Sequence, residues 1–170
     1  MQATLRASSL VPRGFVVDGA VCDDKGAVIT IRHSSNSSTC PSCGTVAARV
    51  HGRYRRHLAD LPIAGRPMRL EIIARRFRCD AVLCGRRIFT ERFGPAVLAP
   101  WARRTARLDH VVYHLGLALG GRPAASFAQR LMLPVSNDTL LRVVRRRRSP
   151  RFVPPTVTGI DDWAWRRNQR

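Results

Sequence analysis

RPMRLEIIARRFRCDAVLC, residues 66–84, carries the reading on which the fold turns. Its first part interleaves apolar and basic residues, which predicts a strand over 66–78. That strand runs directly into Cys79-x4-Cys84. A second close pair, Cys40-x2-Cys43, lies 35 residues upstream. Two such pairs brought together make a tetrahedral thiolate site, and that donor set suits structural zinc. Pro41 and Gly44 permit the tight turn that aims two sulfurs at one metal. Arg75, Arg76 and Arg78 are expected to hold thiolate charge beside the second pair. A redox dithiol and unbound buried cysteines are the alternative readings. Cys22, in an upstream run rich in β-formers, is expected in the core. His51 and His57 are possible substitute ligands but neither has paired-ligand spacing.

FVVDGAVCDDKGAVITIRH (15–33) predicts a hairpin. Phe15–Cys22 and Ala27–Arg32 flank Asp24-Lys25-Gly26. Ser34–Thr39 is a polar loop, and Ile88 to Phe93 adds a further strand. Residues 1–94 therefore read as a small β-rich module whose folding draws on bound zinc.

Past Gly94, Pro95 and Pro100 the period changes. Leu108, Val111, Val112, Leu115 and Leu119 recur at helical spacing, which predicts a helix over about 103–119. Gly120-Gly121 ends it. A second helix runs from Pro123 to Leu131 with Ala124, Phe127, Ala128 and Leu131 inward. A break containing Pro134 precedes a third, with Ser136 as N-cap and Leu140, Leu141 and Val144 inward. Helices two and three have helix-turn-helix proportions, and residues 95–150 read as a three-helix domain of that kind. In such a domain the third helix enters the major groove. Asn137, Asp138, Thr139 and Arg142 are then candidates for base contact, and Arg145, Arg146, Arg147 and Arg148 for phosphates. Residues 151–170 form a linker and a final short segment.

The charge supports a polyanionic partner. The 170 residues carry a net +19, and of 30 basic residues all but Lys25 are arginine. Residues 1–39 hold a net +1 and residues 40–170 a net +18, so the basic footprint begins with the cysteines. The longest apolar stretch, Val111–Leu119, is far short of a membrane span. Five cysteines without an export pattern indicate a reducing, cytoplasmic setting.

Four blocks occur in order: CPSCG (40–44), RRFRC-x4-C with RRIFTE (75–91), GRPAASFAQRL-x-LPVSNDTLLR (121–142) and GIDDWAWRR (159–167). Together they resemble a bacterial insertion-sequence transposase with an N-terminal cysteine zinc finger, a helix-turn-helix and a DDE domain of ribonuclease H-like fold. The fold class implied is α+β: a β-rich four-cysteine module, three helices, and the first strand of a catalytic domain. The resemblance implies binding of double-stranded DNA at terminal inverted repeats, as in DNA transposition, and association with the nucleoid. It implies Asp161 as the first of three carboxylates that hold magnesium in a full-length enzyme. The chain stops nine residues later, so the triad is incomplete here and the expectation is a DNA-binding, catalytically incompetent N-terminal part. A stand-alone DNA-binding regulator, an inert remnant and an RNA-binding zinc ribbon are the competing readings. A homo-oligomer is compatible with all of them.

Overall fold

A computed structural model describes residues 7–147 together with 156, 157 and 159. Seven strands precede three helices: β1 (Phe15–Asp23), β2 (Gly26–His33), β3 (Ser38–Thr39), β4 (Val46–Ala47), β5 (Val50–Ile63), β6 (Arg66–Arg78), β7 (Ile88–Thr90), α1 (Ala106–Leu119), α2 (Arg122–Arg130) and α3 (Asn137–Arg146). A short 3-10 helix, Ala7–Leu10, comes first.

The expected hairpin forms. β1 and β2 pair antiparallel from Phe15↔His33 to Asp23↔Gly26. Asp23 closes the turn, its Oδ1 accepting from the backbone of Lys25 at 2.9 Å and of Gly26 at 3.1 Å. Gly26 is required there. Its φ is +140°, and a Cβ would lie 2.5 Å from the Pro67 carbonyl oxygen. β2 then pairs in parallel with β6 from Ala27↔Met68 to Arg32↔Ile73. The main sheet runs β1-β2-β6-β5, and β7 pairs with the far end of β6.

β5 was not anticipated from the residues. It is the longest strand, fourteen residues, and pairs with β6 from Val50↔Phe77 to Ile63↔Arg66. The two-residue link Ala64-Gly65 has φ of +48° and +70°. Positive φ at both central positions is the signature of a type I′ hairpin turn, whose twist matches that of the strands.

One face of this sheet buries Ile29, Ile31, Leu58, Met68, Leu70, Ile72 and Ala74. Leu10, Val11, Val97, Leu98 and Ala102 cover that face, so the segment after Gly94 packs on the sheet. Cys22 stands in contrast to its expected core position. It is exposed, as is every residue of β1 from Asp18 to Asp23, because β1 is the edge strand and this end of it lies off the core.

The helices build a second core from Leu108, Val112, Ala124, Ala128, Leu140 and Val143, with Leu133 and Val135 from the α2–α3 connection. α1 begins on its cap Thr105, whose Oγ1 accepts from Leu108 N at 3.3 Å. Ser136 caps α3 as expected, accepting from Thr139 N at 3.4 Å. The inward faces need correction at two positions, Phe127 and Leu131, which are exposed. On α3, Val143 is buried besides Leu140, while Leu141 and Val144 are half-buried, Val144 against Gly116 of α1. The small Ala124 and Ala128 form the α2 contact, which brings α2 close to its neighbours and leaves the larger residues outside.

An ion pair with a buried carboxylate and a half-exposed guanidinium joins the two cores. Asp60, on β5, is 1% exposed. Its Oδ1 accepts from Thr105 Oγ1 at 2.6 Å, Leu61 N at 2.8 Å and Arg107 Nε at 2.7 Å, while Arg107 Nη2 donates to Oδ2. Arg107 Nη2 also donates to Leu10 O at 2.6 Å. The cap of α1 and the edge strand of the sheet thus share one carboxylate, and Arg107 ties the N-terminal 3-10 helix to it. Ala59 N to Arg103 O (3.0 Å) and Thr105 N to Ala59 O (3.1 Å) add backbone links beside it.

Candidate metal centre and basic surfaces

β3 and β4 form a two-stranded ribbon around Cys40 and Cys43, with Thr39 opposite Val46. Inside it, Cys40 N donates to Thr45 O at 2.9 Å and Gly44 N to Cys40 O at 3.0 Å. Gly44 turns the chain with φ +75°. The second pair hangs from the end of β6. Cys79 N donates to Arg87 O at 2.9 Å and Cys84 N to Ala81 O at 3.1 Å. Phe77 and Phe89, stacked at 6.0 Å, pack beneath with Ala47.

The four sulfurs of Cys40, Cys43, Cys79 and Cys84 lie within 4.8 Å of one another. Cys43 and Cys79 are 3.6 Å apart and Cys40 and Cys84 are 3.9 Å apart. A tetrahedral zinc with Zn–S bonds of about 2.3 Å spaces its sulfurs by about 3.8 Å. The donors therefore fit this metal in number, type and spacing.

Proton affinities within the cluster diverge. The Thr45 hydroxyl, 3.4 Å from Cys43 Sγ, together with the Thr45 backbone N–H, brings Cys43 down to about 6. At Cys79 the backbone N–H of Ala81 acts downward, yet burial and the neighbouring thiols push the group up to about 12. Cys84 is also raised: the backbone at Arg86 lowers it, but Cys43 and burial outweigh that. Once one sulfur ionises, its neighbours resist ionising. A dication removes that resistance, since a coordinated thiol is deprotonated.

The arginines beside the second pair do other work than expected. Arg75 is committed to Glu91, which accepts from its backbone N (2.8 Å), Nε (3.0 Å) and Nη2 (2.7 Å). Arg75 Nη2 also holds Ser35 O at 2.7 Å, fixing the loop that leads to Cys40. Arg76 lies over the Tyr54 ring at 5.3 Å, and Arg78 sits 3.6 Å from Asp80. His51 and His57 stay outside the sulfur cluster. His57 Nε2 instead meets Glu71 at 3.0 Å.

Of the α3 residues, Asp138, Arg142 and Arg145 are exposed along one face. Asn137 turns inward: its Oδ1 is buried without a partner, next to Gly121. The Thr139 hydroxyl is held by Ser136 at 3.1 Å. Arg146 and Arg147 approach Asp109 of α1 at 3.0 and 3.5 Å, and Arg147 stacks over Tyr113 at 4.7 Å. Arg148 and Asp161 lie outside the described residues. No helix among the described residues is long and apolar enough to cross a membrane.

No curated protein and no solved structure matches the chain. Residues 37–84, which contain β3 to β6 and all four clustered cysteines, match the family model of the zinc-finger of transposase IS204/IS1001/IS1096/IS1165.

Proposed function

We propose that this chain is a DNA-binding part of an insertion-sequence transposase, with zinc held by Cys40, Cys43, Cys79 and Cys84 as a structural ion. The observation that carries the reading is the compact four-sulfur cluster inside a segment that matches a transposase zinc-finger family. A net charge of +19 on the chain favours a polyanion as partner. Zinc fixes the β3–β4 ribbon against the end of β6 and so gives the basic surface a defined shape.

In this reading α2 and α3 act as a helix-turn-helix and α3 lies in the major groove of double-stranded DNA. Arg142 then faces base edges, and Arg145, Arg146, Arg147 and Arg148 are the residues that grip phosphates. Asn137, Asp138 and Thr139 set the N-terminal end of that helix. The target is a terminal inverted repeat of a mobile element. By the same resemblance, Asp161 belongs to the first strand of a ribonuclease H-like fold and would be a magnesium ligand there.

The test is binding of the zinc-loaded chain to duplexes that carry the terminal repeats, against shuffled duplexes of equal composition. Preference for the repeats that is lost with a zinc chelator is expected. Equal, weak binding of both duplexes with and without zinc overturns the reading.

A further inference from the structure

A groove of about 580 Å³ opens between β5, the Cys40 turn and the segment from Thr90 to Arg103. Its size is that of a small-ligand site. Tyr54, Phe93 and Trp101 supply ring surface, and Arg86, Arg92 and Arg103 supply charge. These three arginines are exposed and have no ion-pair partner among the described residues. The one acidic group in the lining, Glu91, is already neutralised by Arg75. The groove thus offers uncompensated positive charge beside aromatic faces.

Trp101 is the unusual member. It is 94% exposed, although exposing an indole costs hydrophobic free energy. It also has φ +62°, a left-handed backbone that a bulky residue rarely adopts. The turn around it explains the geometry. Ala102 N donates to Ala99 O at 3.2 Å, Pro100 takes the second position and Trp101 the third. That third position, with positive φ, ordinarily belongs to glycine in a type II turn. A tryptophan stands where the backbone favours glycine, and its ring is displayed to solvent beside three arginines. Stored strain of this kind concentrates at binding sites.

We infer that this groove binds an unpaired nucleotide of single-stranded DNA, with Trp101 stacking on the base and Arg86, Arg92 and Arg103 receiving the flanking phosphates. An aromatic platform inside a cationic groove is the chemistry that recognises single strands, because every base presents a ring face while the backbone supplies regular negative charge. A duplex, with its bases stacked inside, cannot use the indole in this way. The inference rests on the DNA-binding reading and adds a strand-state preference at a site separate from α3.

The experiment compares a blunt duplex with the same duplex bearing a short single-stranded DNA tail, by fluorescence anisotropy on the zinc-loaded chain. Tighter binding of the tailed duplex is expected. Trp101→Gly, which suits the turn and removes the ring, should weaken the tailed complex roughly tenfold and leave the blunt one unchanged. Trp101→Phe should retain most of the tail preference. If the wild-type chain binds the blunt duplex and ignores the tail, the groove assignment falls while the DNA-binding reading stands. If it binds neither duplex, that reading falls with it. Equal weakening of both complexes by Trp101→Gly would make the groove part of a duplex surface and overturn the inference. A ribonucleotide tail bound more tightly than the DNA tail would overturn the assignment to DNA.

Discussion

Cys79 and Cys84 hold their protons more firmly than ordinary thiols, while Cys43 gives its proton up more readily. Near neutral pH, Cys43 is therefore largely a thiolate and Cys79 and Cys84 are thiols. Zinc binding must displace at least their two protons. The sign follows: affinity for zinc rises with pH and falls as the solution is acidified, because protons compete for the sulfurs. Calorimetry in buffers of different ionisation enthalpy should show release of two or more protons per zinc; release of none would contradict the assigned ligands. Cys84→Ser should leave the other three sulfurs unable to close the shell and should lower zinc affinity sharply. The Asp60 carboxylate is buried and paired with Arg107. Arg107→Ala leaves that buried carboxylate without its bidentate partner and should cost about 3–5 kcal/mol in urea unfolding of the zinc-loaded chain. Asp60→Asn keeps an acceptor for Thr105 and Leu61 and should cost less. The reverse order would mean that Asp60 is not the organising charge. Neither the role of Asp60 nor that of Glu91 was legible in the sequence. Their partners Arg107 and Arg75 lie 47 and 16 residues away, and in a chain so rich in arginine no pairing stands out.

At the scale of elements, legibility depended on local signals. The β1–β2 hairpin announced itself through alternating β-formers and Asp24-Lys25-Gly26, and β6 through its regular interleaving. The three helices were readable from period and caps, with Ser136 placed correctly. β5 hid for two physical reasons. Its outward positions Arg53, Arg55 and His57 alternate with Tyr54 and Arg56, which are polar or amphipathic and only half-buried, so the apolar alternation is faint until Leu58. Its turn is Ala64-Gly65, without the asparagine or aspartate that usually marks a type I′ hairpin. This turn also yields a prediction. Ala64 has φ +48°, a conformation that asparagine accepts more easily than alanine. Ala64→Asn should stabilise the fold by about 0.5–1 kcal/mol, seen as a higher urea midpoint with unchanged slope. A lower midpoint would argue against the I′ geometry. Gly26→Ala should act the other way, by about 1–3 kcal/mol, since the new Cβ would meet the Pro67 carbonyl.

Across the whole molecule, the excess of positive charge is not spread evenly in its effect. On the open face of the sheet, Glu71 accepts from Arg55 at 2.9 Å and meets His57 at 3.0 Å, while Asp18 holds Arg32 at 2.9 Å. On the helical side, Asp109 alone receives Arg104, Arg146 and Arg147. Arg142 and Arg145 have no ion-pair partner among the described residues and project from one face of α3. A polyanion gains most from cations that are not already neutralised, because each free cation placed on a phosphate releases counterions. Contact through α3 therefore predicts unequal effects of removing single arginines. Arg145→Ala should weaken binding to all duplexes alike and lower the slope of log K against log salt by about 1. Arg142→Ala should chiefly reduce the difference between repeat and shuffled duplexes, at a cost of about 1–3 kcal/mol on the repeat. Arg55→Ala should change neither, since Glu71 already occupies that guanidinium. A salt slope that falls for Arg55→Ala and stays constant for Arg145→Ala would move the DNA from the helices to the sheet.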